Sequence, residues 1–115
     1  MAYRIKRVQD DPSAEDGYRV LVDRLWPRGV SKERAALGEW LKEVAPSTEL
    51  RQWYHSGAGD FAAFTERYRA ELAANPAVDR LRRIGREHPT VTLLYGVRDP
   101  EHNHAAVLVA VLKGR

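Results

Sequence analysis

The chain has 115 residues, 43% of them hydrophobic and 30% charged, with a formal net charge of +3. That is enough for one domain over residues 1–115 with a single modest core, and the periodic spacing of its apolar residues excludes a disordered chain. There is no cysteine, which removes disulfides, thiolate metal sites and every cysteine nucleophile.

Tyr3 to Val8 alternates apolar and basic residues, the pattern of a half-buried strand. Asp10-Asp11-Pro12-Ser13 to Gly17 has loop composition. Tyr18 to Asp23 is more apolar and predicts a more central strand. Pro27 and Gly29 then interrupt any regular element. Ser31 is placed to cap a helix, and Leu37, Trp40, Leu41 and Val44 fall on one helical face that Pro46 ends. Ser47 and Asp60 are caps for two further helices, the second carrying Phe61, Phe64, Tyr68 and Leu72. Asn75-Pro76 breaks the chain before another helix with Val78, Leu81 and Ile84 inward. Thr90 to Tyr95 is the expected sheet centre. In the last segment, Asp99-Pro100-Glu101 matches a cap, a first helical position and an acidic first turn, which favours a helix over a Val-rich strand. The sum is a small single α/β domain: a short, mixed or mostly parallel sheet of about three strands with helices packed around it.

No apolar run approaches the ~20 residues that span a bilayer, and Met1 to Lys6 lacks the apolar core of a signal peptide. The expected location is the cytoplasm, with no membrane partner. Arg outnumbers Lys by 15 to 4. Arg binds carboxylates and phosphates through a two-pronged fork, although the codon usage of a GC-rich genome yields the same bias.

Two stretches carry most of the chemistry. Leu93 to Asp99 reads as a strand running into a turn, with His102-Asn103-His104 at the start of a helix. Polar groups placed there sit where α/β proteins bind anions. Arg24, Arg28 and Arg98 are the candidate ligand-binding cations, with Asn103 orienting the ligand or capping the helix. His102 and His104 are candidate proton donors or acceptors, hence the candidate catalytic residues. The leading expectation is a basic Arg/His pocket for a small anionic or phosphorylated ligand. One alternative is a nucleic-acid module using Arg80, Arg82, Arg83 and Arg86 on one helix. The other is a metal-dependent hydrolase through His102 and His104, aided by Glu101 or His55; it ranks last because two histidines two residues apart diverge on a regular helix. No cofactor and no bound metal are expected, and the oligomeric state is left open.

Four stretches also carry a family resemblance: Ile5-Lys6-Arg7-Val8, Asp16 to Gly29, Trp40 to Arg51, and Leu93 to Ala105. Together they resemble the domain of unknown function 488 family, in its short, YeaO-like bacterial branch. The resemblance implies a compact cytosolic bacterial α/β protein without an established activity. Longer members carry a Cys-His-Arg motif after the equivalent strand. Asn103-His104-Ala105 stands in that place here, so a thiol reaction does not carry over.

Overall fold

Thr90–Tyr95 forms the most completely buried strand, with every residue from Val91 to Tyr95 out of contact with water. A strand shielded on both faces needs no polar alternation, and TVTLLY has little. In the computed structural model, which describes residues 2–114, this strand has partners on both sides. Taking the elements in chain order, β1 is Ala2–Arg7, β2 is Tyr18–Leu21, β3 is Glu39–Trp40 and β4 is Thr90–Tyr95. All pairings are parallel and the spatial order is β1-β4-β2-β3. In β4, Leu93 lies between Ile5 of β1 and Val20 of β2.

Among the described residues five α-helices complete the fold: α1 Lys32–Ala35, α2 Thr48–His55, α3 Phe61–Ala73, α4 Ala77–Glu87 and α5 His104–Leu112. Ser47 and Asp60 cap α2 and α3, accepting from the amides of Leu50 and Ala63. The larger core lies between one face of the sheet (Val20, Val22, Val91, Leu93, Tyr95) and Leu50, Phe64, Tyr68, Leu72, Leu81, Ile84 and Leu108 of the helices. The other face is covered more thinly, with Leu21 and Leu94 packing on Val8, Val30 and Ala35. Among the described residues, no helix is long and apolar enough to cross a membrane.

The strand count exceeds the expected three because of residues 31–44. The helical spacing of Leu37, Trp40, Leu41 and Val44 does not produce a helix. Only Lys32–Ala35 is helical; Ala36 turns left-handed at φ 48°, Glu39–Trp40 joins the sheet, and Lys42–Val44 forms a 3-10 turn. The physical reason is the outer edge of β2. Its carbonyls at Arg19 and Leu21 take the amides of Gly38 and Leu41, at 2.8 and 2.9 Å. A helix through this stretch would leave those carbonyls unpaired. Gly38 also lies flat against the Tyr18 ring, where a Cβ would come within 2.5 Å of Tyr18 Cε1.

At the amino end of the strands the thinner face is polar. Asp16 pairs with Arg19 and Lys6, Arg19 Nε donates to the Ala35 carbonyl, and the Thr92 hydroxyl donates to the Asp16 carbonyl. Burial alone would raise the Asp16 pKa. The Ser13 backbone amide and the Lys6 and Arg19 side chains outweigh it and hold the carboxyl below its ordinary value. A carboxyl depressed in the folded state adds stability above its unfolded pKa and loses it as pH falls through the folded one. The stability gap between wild type and Asp16→Asn is therefore expected to be full near neutrality and to close on acidification below about pH 4. Urea midpoints of both proteins from pH 7 to pH 2 check this; a gap that stays constant would contradict it.

Candidate functional site

Two parallel strands that end side by side leave a crevice beyond their carboxyl ends, because the loops leave in different directions. Here the neighbours are β2 and β4. The Val22 amide donates to the Leu94 carbonyl at 3.0 Å, which fixes where both strands stop. Asp23, Arg24 and Leu25 follow β2, and Val97, Arg98 and Asp99 follow β4. Between them lies a cavity of about 360 Å³. Helix α2 contributes Arg51, Tyr54 and His55 to its lining, α3 contributes Phe61 and Phe64, and the start of α5 contributes His102, Asn103 and His104.

Arg24 is held in place by backbone oxygens. Its Nε and Nη2 donate to the carbonyls of Pro46 and Ala45, at 3.2 and 3.1 Å. Those carbonyls follow the 3-10 turn, so the guanidinium is pinned without being neutralised. Arg98 is exposed, and Arg51 is half-buried. Among the described residues neither guanidinium forms a hydrogen bond or an ion pair. Three guanidinium groups thus face two carboxylates, Asp23 and Asp99, across one cavity.

Asp99 organises the loop before α5. Its Oδ1 accepts from the amides of Glu101 and His102, at 2.9 and 3.1 Å, and its Oδ2 lies 3.0 Å from His102 Nδ1. The Glu101 amide, then the His102 amide and ring, hold the Asp99 carboxyl below its usual pKa. The sequence placed the start of the last helix here, with Asp99 as its cap. The structure places the cap of α5 four residues later, at Asn103. Pro100 and Glu101 make a turn closed by Asp99, not a helical turn. Asn103 is only 3% exposed; its Oδ1 accepts from the Ala106 amide and its Nδ2 donates to the Asp99 carbonyl. Both ends of its side chain hold the loop and the helix start together, so it caps α5 at the edge of the cavity.

His102 stands before the helix and His104 is its first residue, so the regular-helix argument about their divergence does not apply. The His102 ring meets the edge of Phe61 at 5.1 Å. His104 Nε2 is 3.1 Å from both the Val22 carbonyl and Asp23 Oδ1. Asp23 Oδ1 is buried and takes part in no hydrogen bond among the described residues. Behind His104 sits Tyr68, whose hydroxyl donates to the Val44 carbonyl. Burial pushes that phenol well above its normal pKa, so it remains a neutral donor. Among the described residues, no three His, Cys, Asp or Glu side chains are grouped to hold a metal ion.

Of the residues singled out from sequence, Arg24, Arg98, His102, Asn103 and His104 line this one cavity, and Arg28 does not. Arg28 is exposed, in the turn that it shares with Gly29. Arg51, Tyr54, His55 and Phe61 complete the site although the sequence offered them only as helix residues or, for His55, as a spare metal ligand. The arginine cluster of α4 is split. Arg80 is fully engaged by Glu39 in a two-pronged pair at 3.1 and 2.7 Å, and Arg82 pairs with Asp79 at 3.5 Å.

A family model described as the inactive DUF488-N3 subclade matches residues 2–115. The chain is 48% identical over 114 residues to "Uncharacterized protein YeaO" of Escherichia coli (strain K12), covering 98% of each chain. It is 45% identical over 113 residues to "Uncharacterized protein Rv3073c" of Mycobacterium tuberculosis (strain H37Rv), covering 97% of this chain and 94% of that one. No solved structure matches it.

Proposed function

The chain belongs to the DUF488 family, in the subclade described as inactive, and from that premise we propose that it binds a small anionic or phosphorylated ligand in the cavity between the ends of β2 and β4. One observation carries the reading: Arg51 and Arg98 line that cavity and have no protein partner among the described residues. A guanidinium held by a carboxylate is already neutralised, whereas one left unpaired at a concave site is available to an anion. Arg24 adds a third charge, pinned in advance by two carbonyls, so little ordering is needed on binding. His102 stands at the same opening. The reading is one of binding: the subclade description and the lack of cysteine both favour it over thiol chemistry.

Isothermal titration with inorganic phosphate, sulfate and phosphorylated metabolites tests it. Charge-assisted hydrogen bonds contribute about 1.5–3 kcal/mol each, so Arg98→Ala and Arg51→Ala are each expected to weaken binding by roughly 10-fold or more. Stability without ligand should change by about 0.5 kcal/mol or less for the exposed Arg98. No binding by any oxyanion or phosphorylated compound, or equal binding by wild type and Arg98→Ala, would overturn the proposal.

A further inference from the structure

Resting on that anion-site reading, we propose that the ligand is a phosphate-bearing planar heterocycle of mononucleotide size, with its ring against the aromatic wall and an N–H edge presented to His104. The walls of the cavity are the first argument. Among the described residues three large hydrophobic side chains are exposed, and two of them, Leu25 at 65% and Val97 at 40%, stand at this cavity. The same cavity is lined by Tyr54, Phe61 and Phe64, whose ring centroids lie 4.8, 5.7 and 6.2 Å apart. A bare oxyanion or a sugar phosphate has nothing to gain from such walls. A flat ring buries apolar area against them.

The second argument is the pattern of hydrogen-bonding groups. His104 Nε2 sits between two acceptors, the Val22 carbonyl and Asp23 Oδ1, so the ring proton is placed on Nε2. In the neutral ring Nδ1 is then a bare acceptor. It has no protein partner among the described residues and is not shut off from solvent, on a residue that lines the cavity. An acceptor without a donor at one end of a site, and guanidinium groups elsewhere in it, select a ligand that offers N–H at one end and negative charge at the other. Size sets the bound: about 360 Å³ is near the bottom of the ~300–1,000 Å³ range of small-molecule sites. It holds one ring system with its phosphate and excludes a dinucleotide.

Titration of the full chain with a graded panel separates this proposal from the one beneath it. The panel is inorganic phosphate, ribose 5-phosphate, the nucleoside 5′-monophosphates, the free nucleosides, a ring-N-methylated monophosphate and a 5′-phosphorylated oligonucleotide. At least one monophosphate is expected to bind 10-fold or more tighter than ribose 5-phosphate, and its N-methylated form at least fivefold weaker. Leu25→Ala, at an exposed position that the fold does not depend on, should weaken the monophosphate about threefold or more and leave ribose 5-phosphate unchanged. Equal binding of ribose 5-phosphate and every monophosphate would overturn the ring while the anion site stands. Tighter binding of the oligonucleotide would overturn the size assignment, and equal binding of the N-methylated form would overturn the His104 contact. Nucleosides binding as well as monophosphates, or no phosphate-bearing compound binding at all, would remove both readings together.

Discussion

Leu93→Ala is expected to destabilise the protein by about 2–5 kcal/mol, which lowers its urea midpoint and its melting temperature by roughly 10 °C or more. Leu93 is fully buried in the central strand, between Ile5 and Val20, and it belongs to the larger core that joins the sheet to the helices. The loss has two parts, the transfer of the removed atoms and the cavity they leave. The second part is large where neighbours cannot move in. Here the neighbouring backbones are fixed by ladder hydrogen bonds on both sides of β4. Against a total stability of about 5–15 kcal/mol, the variant is expected to lie close to unfolding. Leu25→Ala is the internal comparison: the same atoms leave an exposed site, and a change of about 0.5 kcal/mol or less is expected. Urea denaturation of both variants measures the difference, and similar midpoints would show that β4 is not the centre of the core.

Gly17→Ala is expected to cost about 2–4 kcal/mol, although it adds a single methyl group. Gly17 ends the 3-10 turn Ala14–Asp16 at φ 64° and ψ −134°, a region that L-residues with a Cβ essentially do not occupy. A Cβ built there would lie 2.3 Å from the Thr90 carbonyl oxygen. The obstacle is backbone at the start of β4, not a side-chain tip that can swing aside. Relief therefore requires β2 to separate from β4, just where the Thr92 hydroxyl and the Asp16 carboxylate are packed. Gly57→Ala makes the contrast. Its φ of 82° imposes the backbone penalty, but no atom lies within 4 Å of its Cβ position, so a smaller cost of about 1 kcal/mol is expected. Equal midpoints for the two variants would contradict the steric part of the argument.

The elements legible in the sequence were those written in local chemistry. Ser47, Asp60 and Asn75-Pro76 mark helix starts through their own side chains and backbone restrictions, and the buried run of β4 announces itself by composition. The stretch from Ser31 to Val44 misleads because its spacing fits a helix while its hydrogen-bonding role is decided by β2, about twenty residues upstream. The same division holds at the site. Arg24, Arg98, His102 and His104 follow strand ends and can be picked out by position along the chain. Arg51, Tyr54 and Phe61 reach the cavity only through the packing of α2 and α3, and no local pattern encodes that. Arg28 shows the converse: it is as close in sequence to β2 as a binding residue needs to be, and it stands exposed in a turn outside the cavity.

The first strand of the chain pairs only with β4, Ala2 opposite Thr90. On the ribosome, β1 emerges with no partner and stays unpaired until β4 has been made, about 5–20 s at ordinary elongation rates. The helices can form meanwhile from local contacts and β2 can pair with β3, but β1 joins the sheet only through β4. For that interval β1 exposes an unpaired edge. Its alternating Arg4, Lys6 and Arg7 are the kind of charges that keep such edges from pairing with the wrong chain.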